Sequence, residues 1–252
     1  MSQISPDQYL ANILNKYAPS DNTKAASGML HNPLCLWAGD DLNAIWLFGS
    51  SQKGTAIAGK SDLDLFVSIK ASCRFSIADI YKSLLERLTQ LGYSPRRQDV
   101  SIGITVDGKN VDIVPAKLQT GSAQFHILHR SKTGSWTQTN IHKQVEEVIR
   151  ANKRNEIKLT KIWRELNKLS FPSFYLELFV IEALKSSRKV SLADRFNDVL
   201  LYLSNEFERT RIVDPSNTAN IVSDDLTATE KSAIASRARE ACKASSWNGV
   251  VY

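Results

Sequence analysis

Residues 62–69 read Asp-Leu-Asp-Leu-Phe-Val-Ser-Ile, two carboxylates set one residue apart in an apolar run. Alternate side chains of a strand share a face, so Asp62 and Asp64 point one way while Leu63, Leu65, Val67 and Ile69 point the other. A chain built on this strand must bury the leucine face and give the aspartate face a purpose. Two neighbouring carboxylates repel each other and lose hydration, and both stay ionised cheaply only with a positive charge between them. Mg²⁺ suits that position, because it takes oxygen ligands and completes its shell with water and phosphates.

A third carboxylate extends the reading. Asp112, between Val111 and Ile113, lies on the second of two strands that span residues 100–114 and join at Asp107-Gly108, a strong hairpin turn. Pairing of that strand beside 63–69 would bring Asp112 to Asp62 and Asp64. Such a trio can hold two ions about 4 Å apart, one activating an attacking hydroxyl and the other steadying a leaving phosphate. Asp62 and Asp64 alone also fit a solvated strand edge whose charges resist aggregation. Asp112, together with Gly49 and Ser50 upstream, favours the metal.

Gly49 lets a backbone approach a phosphate closely, and Ser50 offers a hydroxyl and an N–H. Gly54, Gly59, Lys60 and Ser61 match the spacing of a phosphate-binding P-loop. That loop requires a strand directly before it and a helix directly after. Here a strand follows, and Ala56, Ile57 and Ala58 make a poor glycine-rich cradle, so this stretch is read as a spacer.

Around these motifs the periodicity predicts an amphipathic helix over 5–18, with Ser5 as N-cap and Pro6 in its first turn. Strands are expected at 44–48 and 63–70, and a helix at 76–92 ended by Gly92. Pro115 is expected to end the second hairpin strand. Beyond about residue 138 strand signals give way to helices near 139–150, 153–169, 173–187, 191–209 and 227–245. The fold class is α+β, with an α/β domain over 1–138 and a helical domain over 139–252.

The 252 residues carry a formal net charge of +6, a mild basic excess that fits a polyphosphate or nucleic-acid ligand. Cys35, Cys73 and Cys242 are odd in number and far apart, which points to a reducing, cytoplasmic setting and away from a disulfide framework or zinc site. His31, His126, His129 and His142 show no metal-ligand spacing, and Arg96 and Arg97 read as a solvated turn. The first residues lack the basic and apolar regions of a signal peptide. No apolar run approaches the roughly 20 residues of a membrane span.

The stretch from Phe48 to Val67 resembles the signature of the DNA polymerase β-like nucleotidyltransferases, in which Gly-Ser is followed after a spacer by Asp-apolar-Asp-apolar. With Val111-Asp112-Ile113-Val114-Pro115-Ala116 it looks like the branch of 2′-5′ oligoadenylate synthetases, archaeal-type CCA-adding enzymes and bacterial cyclic-oligonucleotide synthases related to cyclic GMP–AMP synthase. Residues 159–184 and the Asp214-Pro215-Ser216-Asn217 loop resemble later segments of that branch, so the resemblance runs from about residue 40 to 245. It implies a palm-like mixed sheet with flanking helices and a helical domain closing over the nucleotide. By resemblance, Asp62, Asp64 and Asp112 are the catalytic and metal-binding residues. Gly49, Ser50, Lys161, Ser173 and Tyr175 are the nucleotide-binding ones, with Lys161 reaching the triphosphate. The residues alone also allow Lys161 to pair with Glu165 one turn away on a wet face. For Tyr175, Trp163 and Phe179, core packing is the favoured reading.

The resulting expectation is an enzyme that uses two Mg²⁺ ions, or Mn²⁺, to transfer NMP from an NTP such as ATP to a ribose hydroxyl, releasing pyrophosphate. The favoured product is a cyclic or linear oligonucleotide second messenger, as in bacterial antiviral (anti-phage) signalling. An RNA or protein activator is the further partner expected, and no membrane. The alternatives are an RNA or tRNA 3′-end nucleotidyltransferase and a non-catalytic nucleotide-sensing module.

Overall fold

The computed structural model describes residues 4–19, 23–59 and 62–252. Among these the elements run, in chain order, α1 (Pro6–Lys16), α2 (Thr23–Ala38), β1 (Leu42–Phe48), α3 (Gly49–Lys53), β2 (Leu63–Ile69), α4 (Ile77–Gln90), β3 (Arg96–Arg97), β4 (Ile102–Val106), β5 (Lys109–Leu118), β6 (His126–Arg130) and β7 (Ser135–Thr139). Helices follow: α5 (Ile141–Ala151), α6 (Arg154–Leu166), α7 (Ser173–Ala183), α8 (Leu192–Glu206) and α9 (Ala228–Cys242). Two compact units form. Ser20–Lys53 and Ser61–Val145 make a sheet unit, and Met1–Pro19, Gly54–Lys60 and Glu146–Tyr252 make a helical unit. This partition differs from a single break at residue 138. Leu10 and Ile13 of α1 and Ile57 of the spacer are buried in the helical unit's core, which draws both segments into it.

In the sheet unit the strand order is β1-β2-β5-β4-β3, with β6 and β7 continuing from the far end of β5. β2 and β5 run parallel, while β1 and β4 pair antiparallel to them. The Asp107-Gly108 turn forms as expected, both residues at positive φ (47° and 72°), the backbone that a two-residue hairpin requires. Leu63, Leu65, Val67 and Ile69 pack under α4 and α2 in one apolar cluster with Leu84, Leu88, Leu30 and Leu34. Each fully buried leucine there is worth roughly 1.5–3 kcal/mol. The opposite face is also covered: Phe66 packs with Val114, Ala116, Leu128 and Ile141. α4 begins at Ser76, whose hydroxyl accepts from the Asp79 N–H in a reciprocal capping box.

Two expectations are corrected. Pro115 does not end its strand; β5 continues to Leu118. β4 leaves β5 after Ile113 and β6 joins only at Ala116, so Pro115 falls in the gap between the two partners and its missing N–H costs no ladder bond. Arg96 and Arg97 form the short edge strand β3 rather than a turn. Lys60 and Ser61 of the P-loop-like stretch lie outside the described residues.

In the helical unit α1 starts where expected, Ser5 Oγ accepting from the Gln8 N–H at 3.2 Å. Asp7 caps a second helix: Oδ1 accepts from the Ala193 N–H at 2.8 Å and from Ser191 Oγ at 2.9 Å. Those bonds, the backbone one first, hold its carboxyl below the usual range. The core runs along α6, α7 and α8 through Trp163, Tyr175, Phe179 and Phe196. No helix among the described residues is long and apolar enough to cross a membrane.

Candidate active site

The strand register sets the carboxylates. Asp64 on β2 and Asp112 on β5 are direct partners across the parallel pair, so their side chains leave the same face of the sheet side by side. Asp62 lies just before β2 and is exposed, whereas Asp64 and Asp112 are half-buried. Burial pushes the Asp112 carboxyl above its ordinary value, and the negative charge of Asp62 pushes it further the same way. The Gln98 hydrogen bond and the positive charge of Arg96 pull the other way. The site therefore presents three carboxylates, hard oxygen donors of the kind a divalent cation takes. As the side chains stand, no group of three acidic, histidine or cysteine residues among those described is gathered closely enough to enclose an ion.

Gly49 stands over Asp64. Phe48 at the end of β1 is the register partner of Asp64, and the chain turns there into α3, a helix of five residues. Gly49 has φ +68°, and a Cβ at that position would lie 1.9 Å from Asp64 Oδ2. Glycine is thus required twice, for its left-handed backbone and for the space that the carboxylate occupies. Ser50 follows in α3, half-buried.

Sequence reasoning missed the support behind Asp112. Gln98 Nε2 donates to Asp112 Oδ1 at 2.9 Å. Ser101 Oγ in turn donates to Gln98 Oε1. Gly103, opposite Asp112 across β4 and β5, leaves room for this amide. A Cβ there would lie 2.8 Å from Gln98 Nε2 and 3.1 Å from Asp112 Oδ1. One signal was available: the Asp107-Gly108 turn fixes the hairpin register, and counting back from it puts Gly103 across from Asp112.

The remaining expected residues belong to the helical unit, and two of the three face inward. Lys161 is 2% exposed, and its Nζ donates to Glu177 Oε1 at 2.7 Å and to Thr55 Oγ1 at 3.1 Å. Thr55 Oγ1 also donates to Glu177 Oε1 at 2.7 Å. As the side chain stands, Lys161 is neither presented to a triphosphate nor paired with Glu165, which binds Arg164 instead. Glu177, flanked by Leu176 and Leu178 in the apolar α7, was the cue, since a buried glutamate needs a buried cation. Tyr175 is fully buried between Phe171 and Phe207, and its hydroxyl makes no hydrogen bond. Burial raises that phenol strongly, with smaller contributions from Asp224 and Asp225. Ser173 is exposed at the start of α7, where its Oγ accepts from Arg164 at 3.0 Å.

Residues 37–117, which contain Gly49, Ser50 and all three aspartates, match the nucleotidyltransferase domain family. The chain is 27% identical over 147 residues to a CCA-adding enzyme of Pyrobaculum aerophilum, an alignment covering 54% of this chain and 33% of that protein. It is 28% identical over 151 residues to a cyclic AMP-AMP-AMP synthase of Escherichia coli strain MS 115-1, covering 53% of this chain and 46% of that protein. The matches thus span less than half the length of either curated relative. In fold it is similar to E. coli MS115-1 CdnC solved with ATP, with TM-score 0.77 and 22% identity, covering 95% of this chain and 91% of that one.

Proposed function

We propose that this chain, which carries a nucleotidyltransferase domain over residues 37–117, joins nucleotides into a cyclic or linear oligonucleotide messenger. The reaction is attack of a ribose hydroxyl on the α-phosphate of an NTP, with pyrophosphate leaving. The observation that carries the reading is the in-register pairing of Asp64 with Asp112, with the left-handed backbone of Gly49 pressed against Asp64. The similarity to a cyclic AMP-AMP-AMP synthase supports the product class, and the fold shared with an ATP-bound structure supports ATP as a substrate.

Asp62, Asp64 and Asp112 would hold divalent metal. Mg²⁺ or Mn²⁺, when bound there, would supply charge neutralisation and a more acidic hydroxyl at neutral pH. The chain's own residues do the rest. Asp112 receives the acceptor's proton or directs it to solvent. Gly49 and Ser50 bring backbone and hydroxyl to the phosphates, since only a residue without Cβ lets the chain pass so close to Asp64. Ser173, with its hydroxyl at the surface, is proposed to touch the nucleotide. Lys161 and Tyr175, both buried, are proposed to support the helical unit from within.

A second reading, extension of an RNA 3′ end, is favoured by the similarity to a CCA-adding enzyme. One experiment separates them. The protein is incubated with four NTPs and Mg²⁺ or Mn²⁺, with and without tRNA, and the products are identified by mass. The messenger reading expects oligonucleotides without tRNA; product only with tRNA supports the second. Replacing both Asp64 and Asp112 by Asn is expected to cut pyrophosphate release about 1,000-fold, a loss of about 4 kcal/mol of transition-state stabilisation. Unchanged release in that variant sinks both readings.

A further inference from the structure

We infer that Gln98 is a positioning residue for Asp112, an inference that rests on the metal-dependent transfer proposed above. Gln98 does not belong to the aspartate signature and follows the short edge strand β3. Yet its side chain is the hydrogen-bond donor that reaches Asp112, Nε2 to Oδ1 at 2.9 Å.

The amide is itself held at both ends. Its Oε1 accepts from Ser101 Oγ. Its backbone N–H donates to the Ser101 carbonyl at 3.1 Å. Tyr81, 1% exposed on α4, donates its hydroxyl to the carbonyls of both Gln98 (3.0 Å) and Ser101 (2.9 Å). The turn between β3 and β4 is therefore bolted to the buried helix, and the glutamine leaves that turn with its rotamer set. Gly103 completes the device, because any larger residue would put a Cβ 2.8 Å from the amide nitrogen.

The chemical type of the donor matters. An arginine or lysine bonded to Asp112 would orient the carboxylate but also cancel its charge, weakening its hold on a cation. A primary amide orients by hydrogen bond and carries no net charge, so the bond itself takes nothing from the negative charge that Asp112 offers an ion. Arg96 nearby adds a smaller electrostatic pull on the carboxylate. It also fixes which oxygen is committed, since the amide occupies Oδ1. Partners of this kind behind ligating carboxylates typically govern metal affinity or activity by 10–100-fold. Gln98 acts through Asp112 and is assigned no contact with substrate.

The test uses the full chain and two readouts. Mn²⁺ binding is followed by electron paramagnetic resonance, and pyrophosphate release gives kcat and KM for ATP. Gln98→Met keeps length and removes the donor. The expected result is Mn²⁺ affinity and kcat each lowered about 10-fold or more, KM for ATP within about 2-fold, and a melting temperature close to wild type. Ser101→Ala frees Oε1 without touching the Asp112 bond; it is expected to shift both readouts the same way by a smaller factor. It carries the test if Gln98→Met does not fold. If wild type binds Mn²⁺ and turns over ATP but the variants match it, or lose activity only in step with lost folding, the role of Gln98 is overturned while the proposed function stands. If wild type neither binds Mn²⁺ nor releases pyrophosphate, both fall together.

Discussion

Two ionisable clusters, one in each unit, solve opposite problems. In the sheet unit Asp62, Asp64 and Asp112 bring like charges together at a partly open face, and the nearest help for Asp112 is a neutral amide. In the helical unit Lys161 and Glu177 bring opposite charges together at 2% and 1% exposure, with Thr55 satisfying both. The first cluster is the one proposed to take a divalent cation from outside. The second is closed and needs nothing further. Burial alone does not single out a candidate site; like charges held side by side do.

The contrast can be attacked from the closed side first. Glu177→Ala leaves the Lys161 ammonium in the core without its counter-ion. Breaking a buried pair in this way costs about 3 kcal/mol or more, read as a lower denaturant midpoint. Removing both charges with Lys161→Met and Glu177→Leu is expected to recover most of that loss. If the single variant is as stable as wild type, the pair is not the structural knot described. Lost ATP binding at full stability would instead return Lys161 to the nucleotide.

Next in size is the open side. Gly49→Ala forces a Cβ onto Asp64 Oδ2 at 1.9 Å and strains a backbone at φ +68°. Displacing Asp64 by about 1 Å is expected to lower pyrophosphate release about 100-fold, with a smaller fall in stability. Activity within a few-fold of wild type would mean that Asp64 has no fixed place in the site.

A third buried group lies between the two cases and gives the smallest effect. His126 is fully buried in the sheet unit without a counter-charge, yet both its ring nitrogens are paired. Nδ1 donates to the Gln124 carbonyl at 3.0 Å, and Nε2 accepts from Ser68 Oγ at 2.7 Å. Burial lowers its proton affinity from the ordinary 6.5, helped by nearby His142. The unfolded chain therefore binds a proton that the folded one refuses. The stability this represents is complete above about pH 6.5 and is lost as pH falls from there towards the lowered value, by up to about 1.4 kcal/mol per pH unit. Thermal melts from pH 7.5 to 5 are expected to fall more steeply in wild type than in His126→Phe; parallel curves would deny the histidine this role.

Much of the sheet unit could be read in the chain because its signals are local. The Asp62–Ile69 alternation, the Asp107-Gly108 turn and the Ser76 cap each act within a few residues. Leu63, Leu65, Val67 and Ile69 do pack as one face, but Phe66 and Ser68 are buried too, since a central parallel strand is covered on both sides. What could not be read was settled by distant partners. Lys161 has as its partners Glu177, sixteen residues on, and Thr55, more than a hundred residues earlier. β6 and β7 mix strand formers such as Ile127, Trp136, Thr137 and Thr139 with His126, His129, Arg130 and Gln138, which break the apolar alternation, so their pairing with each other and with β5 shows only in the fold. Gln98 has no motif at all; only the fold brings it to Asp112.

The spacer between the Gly-Ser pair and the aspartates is counted with the helical unit while both of its flanks are counted with the sheet unit. The chain accordingly passes between the units at four points, near residues 19, 53, 60 and 145. Neither unit corresponds to a continuous stretch of coding sequence. A gene cut between residues 138 and 146 would strip the helical half of Leu10, Ile13 and Ile57 and leave those side chains on the other fragment without the core that buries them. Exchange of whole units between related genes by a single recombination event is closed to such a chain.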